Sequence, residues 1–163
     1  MFALKPAPAA TSAERYSDLL AQAKALIEGE RDMTANAANL SSLVFHALPD
    51  LNWAGFYWMK DGELVLGPFQ GKPACVRIAV GKGVCGTAAR DRRTIVVKDV
   101  HEFPGHIACD AASRSELVVP LLQSGLLLGV FDLDSPRAGR FGAADQAGIE
   151  QAVRTLMDAC EAS

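Results

Sequence analysis

The chain reads as an α+β domain, a six-stranded, mainly antiparallel sheet with helices packed before and after it. Three observations predict this. Apolar residues recur at helical spacing over residues 12–47 and again near the C-terminus. From residue 52 the period shortens to that of strands, and the segments turn aromatic and β-branched. Two turn signals, Asp61-Gly62 and Ser124-Gly125, join neighbouring segments as hairpins, which makes those pairs antiparallel.

Each element has a local cause. Ser12 is placed to cap a helix with Tyr16, Leu19, Leu20, Ala23, Leu26 and Ile27 on one face, ended by Gly29. Asp32 is placed to cap a second, with Leu40, Leu43, Val44 and Ala47 aligned and Pro49 as its stop. Asn52 to Lys60 and Glu63 to Phe69 form the first hairpin, and Ala74 to Val80 a third strand. Gly81 to Gly83 turns into a short helix, Val84 to Asp91, followed by a strand at Thr94 to Lys98. Asp99 to Arg114 is a long loop, and loops beyond ~12–15 residues are often functional. Glu116 to Leu122 and Leu126 to Asp134 make the last hairpin. In the terminal helix Ile149, Val153, Leu156, Met157 and Cys160 share a face.

The 163 residues suit one domain, at 13–163 behind a tail at 1–12, able to bury roughly 70% of the unfolded surface. A net charge of -3 without any basic stripe argues against nucleic acid. No apolar run approaches the ~20 residues of a membrane helix. Met1 to Ala10 lacks an apolar leader core, so a cytoplasmic setting with reduced thiols is expected.

Cysteine placement points toward thiol chemistry. Cys109 sits in the polar loop among Ala, Asp, Ser and Arg, where a thiol is reachable. Asp110 opposes its thiolate, whereas Arg114 or backbone N–H groups would favour it. Cys85 lies at the start of the short helix, where the dipole favours a thiolate, although a packed cysteine at a tight turn reads equally well. Cys75, on the third strand, is open between core and functional roles, and Cys160 reads as core filling. Paired zinc ligands at C-x₂₋₄-C spacing are missing, and His101 and His106 complete only a weak set, so no metal is expected. Residues 81–86 match G-x-G-x-x-G, but the next strand follows too soon for a dinucleotide-binding βαβ unit. A glycine turn into a helix explains them better.

Asp132 and Asp134 share one strand face with Leu126, Leu128 and Val130, either rimming a pocket or marking the strand's exit into solvent. A two-residue turn at Ser124-Gly125 would set Glu116 opposite Leu133, on the wrong face. Uniting all three acids therefore requires an odd register or a bulge. Grouped carboxylates would bind an ammonium group, and their repulsion leaves one able to donate a proton. Trp53 and Tyr57 share a face, as core or as a wall against an apolar or onium group.

Six blocks carry a resemblance: Asn52-Trp53-Ala54-Gly55-Phe56-Tyr57, Leu66 to Gly71, Ala74-Cys75-Val76-Arg77-Ile78, Gly83-Val84-Cys85-Gly86-Thr87-Ala88, His106 to Ser113, and Asp132-Leu133-Asp134-Ser135. Together they resemble the free methionine-R-sulfoxide reductases, small enzymes made of a single GAF domain. The resemblance implies reduction of the R epimer of free methionine sulfoxide without a metal or organic cofactor. It makes Cys109 the attacking cysteine and Cys75 or Cys85 the resolving one. Glu116, Asp132 and Asp134 match the acidic substrate-binding positions, and Trp53 and Tyr57 the pocket for the methyl end. The family takes electrons from thioredoxin, and a homodimer is plausible from it. Glu116 or an aspartate would protonate the departing oxygen, and backbone N–H groups at Ile107, Ala108 and Cys109 would hold the substrate carboxylate. A non-catalytic GAF sensor for a small ligand is the competing reading; it leaves three central cysteines unexplained.

Overall fold

A computed structural model describes residues 2–4 and 11–161; most of the expected tail, 1 and 5–10, lies outside the described residues. The order is α1 (Ser12–Ile27), α2 (Met33–Ala47), β1 (Trp53–Lys60), β2 (Glu63–Gly71), β3 (Arg77–Ala79), α3 (Gly83–Asp91), β4 (Ile95–Val97), β5 (Ser115–Gln123), β6 (Leu126–Ser135) and α4 (Ala143–Glu161). The six strands form one sheet in the order β3-β2-β1-β6-β5-β4, and every neighbouring pair is antiparallel. The expected architecture is therefore the observed one.

Thr11, one residue before the expected Ser12, caps α1. Glu14 closes a capping box only with the residue three before it, and Thr11 and Glu14 exchange both bonds. Asp32 caps α2 as expected, through Ala35 N–H at 2.8 Å. At Asp61-Gly62 and Ser124-Gly125 all four residues have positive φ, the conformation of two-residue hairpins that follow the sheet twist.

Helices α1, α2 and α4 cover one sheet face, burying Leu40, Phe56, Leu117, Phe131 and Ile149. Tyr16 on α1 and Arg140 both bond Asp145 Oδ1, at 2.7 and 3.0 Å, which locks α1 to the start of α4. Cys160 packs half-buried against this core, as expected. Helix α3 and the connecting segments cover the other face, over Tyr57, Leu64, Val84, Ala88 and Val130.

Two segments differ from expectation. The third strand is only Arg77–Ala79 rather than 74–80, so Cys75 lies outside it. Pro73 has no N–H for a ladder, and Cys75 is drawn into a disulfide. Also, β5 and β6 meet through a two-residue turn and a bulge. Leu122 pairs with Leu127 but Leu121 with Gly129, so Leu128 is the extra residue. The bulge turns Leu128 toward the α1/α2/α4 core, away from the face it was expected to share with Val130.

Candidate active site

The bulge assembles the site. It sets Glu116 opposite Asp134, while β1 sets Trp53 opposite Asp134 and Gly55 opposite Asp132. Side chains of β1, β6 and β5 thus meet on the sheet face away from α1, α2 and α4. They form the floor of a small cleft. Gly55 lets the Trp53 indole lie flat, since a Cβ there would meet both Trp53 and Phe69. Trp53 stacks between Phe69 at 5.3 Å and Tyr57 at 5.9 Å. Trp53 Nε1 donates to Lys72 O and the Tyr57 hydroxyl to Cys75 O, so the aromatic wall holds the segment carrying Cys75.

The acids are crowded. Glu116 is 5% exposed and Asp132 6%, while Asp134 is partly exposed at the rim. Burial first, and then each other's charge, pushes all three carboxyls well above the usual carboxylate range. Burial and crowding therefore favour the protonated form of these carboxyls. Asp132 Oδ1 is buried without a hydrogen-bond partner, so the cleft offers an unmatched acceptor. His106 Nε2 approaches Glu116 Oε2 to 3.6 Å. Burial pushes the His106 pKa down and favours the neutral imidazole.

Helix α3 brings Cys85 to the same floor, with Sγ 3.8 Å from Glu116 Oε1. Its entry explains the G-x-G-x-x-G run. Gly81 and Gly83 have positive φ, and a Cβ at Gly86 would run into the Ala79 carbonyl. The expected helix-dipole effect on Cys85 is overruled. Burial, then Asp132, Glu116 and Asp134, push its pKa well up, so it is a thiol.

Across the cleft mouth, Cys75 and Cys109 are disulfide-bonded, with Cα atoms 5.9 Å apart. Cys85 is a buried free thiol outside the bridge. Asn52 Nδ2 donates to Asp110 Oδ2 at 3.2 Å and to Ser113 Oγ at 3.0 Å, stapling the Cys109 loop to the start of β1. The Ala112 N–H, then Asn52 and Lys72, hold the Asp110 carboxyl below the usual range.

The GAF domain family model matches residues 34–161. The free methionine-R-sulfoxide reductase of Escherichia coli (strain K12) is 52% identical over 143 residues, covering 88% of this chain and 87% of that protein. The chain belongs to the free methionine-R-sulfoxide reductases. A solved member of this family, the Neisseria meningitidis enzyme in complex with its substrate, is 39% identical. It superposes with a TM-score of 0.93 over 99% of this chain and 96% of that one. A Burkholderia vietnamiensis structure, named only provisionally as a GAF sensor protein, is 58% identical with a TM-score of 0.89 over 94% of this chain and 100% of that one.

In this member of the reductase family, Trp53, Tyr57, Cys85, Cys109, Glu116, Asp132, Asp134 and Ile107 all line the cleft. Ala108 is exposed and lies outside the lining, and the Cys109 N–H is already given to Ile107 O at 3.2 Å. That turn withdraws one of the amide donors expected for a substrate carboxylate. His101 bonds Asp99 on the surface, apart from His106. Sequence reasoning missed the Asn52–Asp110–Ser113 staple, the Phe69 stack and the His106–Glu116 approach. The sole sequence signal for the staple was Asn and Ser, hydrogen-bonding residues, flanking elements of the site.

Proposed function

We propose that this chain reduces the R epimer of free methionine sulfoxide, with Cys109 as nucleophile and Cys75 as resolving thiol. The observation that carries the proposal is the Cys75–Cys109 bridge over a cleft floored by Glu116, Asp132 and Asp134. The Cys109 thiolate attacks the sulfoxide sulfur, and Glu116 or a neighbouring aspartate gives a proton to the departing oxygen. Methionine leaves with two more electrons, and Cys109 becomes a sulfenic acid. The Cys75 thiol displaces water from it to form the disulfide, and an external dithiol such as thioredoxin reopens it by exchange.

The acids receive the substrate ammonium, and the Trp53–Tyr57 wall receives the methyl end. A peptide-bound residue offers a neutral amide instead, which leaves buried acceptors unmatched, the condition for strong discrimination. A reducing cytoplasm, expected from the sequence, and a homodimer, carried from the family, are parts of the same proposal. So is the domain boundary at residue 13, supported by the Tyr16 bond to Asp145.

Thiol titration tests the scheme. The pre-reduced chain should lose two thiols and release one methionine per chain with the free R epimer. It should do neither with the S epimer or a peptide-bound sulfoxide. Binding without thiol loss would favour the sensor reading.

A further inference from the structure

The cleft floor gathers more ligand chemistry than an ammonium group needs. Cys85 Sγ and one carboxylate oxygen each from Glu116 and Asp132 lie within 4.8 Å of one another. Cys85 Sγ stands 3.8 Å from Glu116 Oε1. His106 Nε2 stands 3.6 Å from Glu116 Oε2. Zinc–sulfur bonds of about 2.3 Å and zinc–oxygen bonds of about 2.1 Å put tetrahedral S···O neighbours roughly 3.6 Å apart. The Cys85–Glu116 spacing needs little closure. All three primary donors are buried, and Asp132 Oδ1 is an unpartnered acceptor in the same cleft.

We infer that the cleft floor is a binding site for zinc-type divalent cations, held by Cys85, Glu116 and Asp132, and that occupancy inhibits the enzyme. Metal binding displaces the protons these groups hold, and a dication leaves the deprotonated trio with a net charge near -1. Borderline-soft ions match a donor set that includes a thiolate; magnesium and calcium do not. Neither Cys75 nor Cys109 contributes, so the bridged form binds too. The inhibitory part rests on the proposed function, because Glu116 and Asp132 are the groups assigned to the substrate ammonium. The metal part does not.

Co²⁺ serves as the optical probe on the disulfide form, where only Cys85 and Cys160 are free thiols. One Co²⁺ per chain should produce a thiolate charge-transfer band that Zn²⁺ abolishes. The band should survive in Cys160→Ser and vanish in Cys85→Ser. Affinity should fall at least about 10-fold in Asp132→Asn, which removes one of the three donors. A wild-type protein without the band, or a Cys85→Ser variant that keeps it while folded by circular dichroism, overturns the site. In single turnovers of pre-reduced protein, Zn²⁺ should slow methionine release and excess free sulfoxide should restore it. Slowing that excess sulfoxide does not relieve overturns the inhibitory role, even with the band intact.

Discussion

Glu116, Asp132 and Asp134 give the site its character because their charges cost stability. A buried carboxylate without a cation is poorly solvated, so each of the three gains from the arrival of an ammonium group. A charge-assisted hydrogen bond contributes about 1.5–3 kcal/mol, so Glu116→Gln or Asp134→Asn should lower kcat/KM for the free sulfoxide about 10- to 100-fold. Steady-state kinetics on folded variants check this, and unchanged values would remove the acids from the site. The cysteines have separable fates. In Cys75→Ser, one methionine should still appear per chain, but a sulfenic-acid-trapping reagent should label Cys109 and no bridge should form. In Cys85→Ser the bridge should still form. Peptide mapping after one turnover distinguishes the two.

Strands β1 and β6 carry the aromatic wall and two of the acids, and their spacing depends on Gly129. A Cβ there would run into the Tyr57 carbonyl on β1. Gly129→Val should therefore splay the strands and destabilise the fold by about 1–3 kcal/mol, read from the urea midpoint. The β5–β6 bulge acts at the same level. Alternation along β6 alone revealed that Asp132 and Asp134 share a face, but Glu116 joins them only because Leu128 is extruded. The shortened β3 has a similar lesson: alternation extended the strand through Cys75, whereas Pro73 and a bond to a distant loop removed it.

Over the whole molecule, the cleft acids and the peripheral ion pairs titrate in opposite senses. The raised folded-state pKa values of the cleft acids mean that their stabilising contribution is complete below about pH 4 and is lost as pH rises through those values. Asp145, held low by Gly142 N–H, Tyr16 and Arg140 despite its burial, stabilises above about pH 4, and that contribution is lost in acid. His106, its pKa lowered by burial, favours the fold as pH rises through its usual range, against the trend of the acids. The test is therefore a difference. Between about pH 5.5 and pH 8, the urea midpoint of the reduced wild type should fall more than that of Asp132→Asn. Equal changes would mean that Asp132 is not strained in the folded state.

Hydrophobic period, caps and turn residues act between near neighbours along the chain, so element order, the antiparallel hairpins and the two-sided sheet were legible from residue order. The motif blocks around Trp53, Cys85, Cys109 and Asp132 likewise carried the family. Three things came only with the folded chain: which cysteine bridges Cys109, the register that joins Glu116 to Asp134, and the burial that keeps Cys85 a thiol. Each depends on segments far apart in sequence meeting at ångström separations. A one-residue bulge or a few ångströms of loop displacement changes the result without leaving any local mark on the sequence.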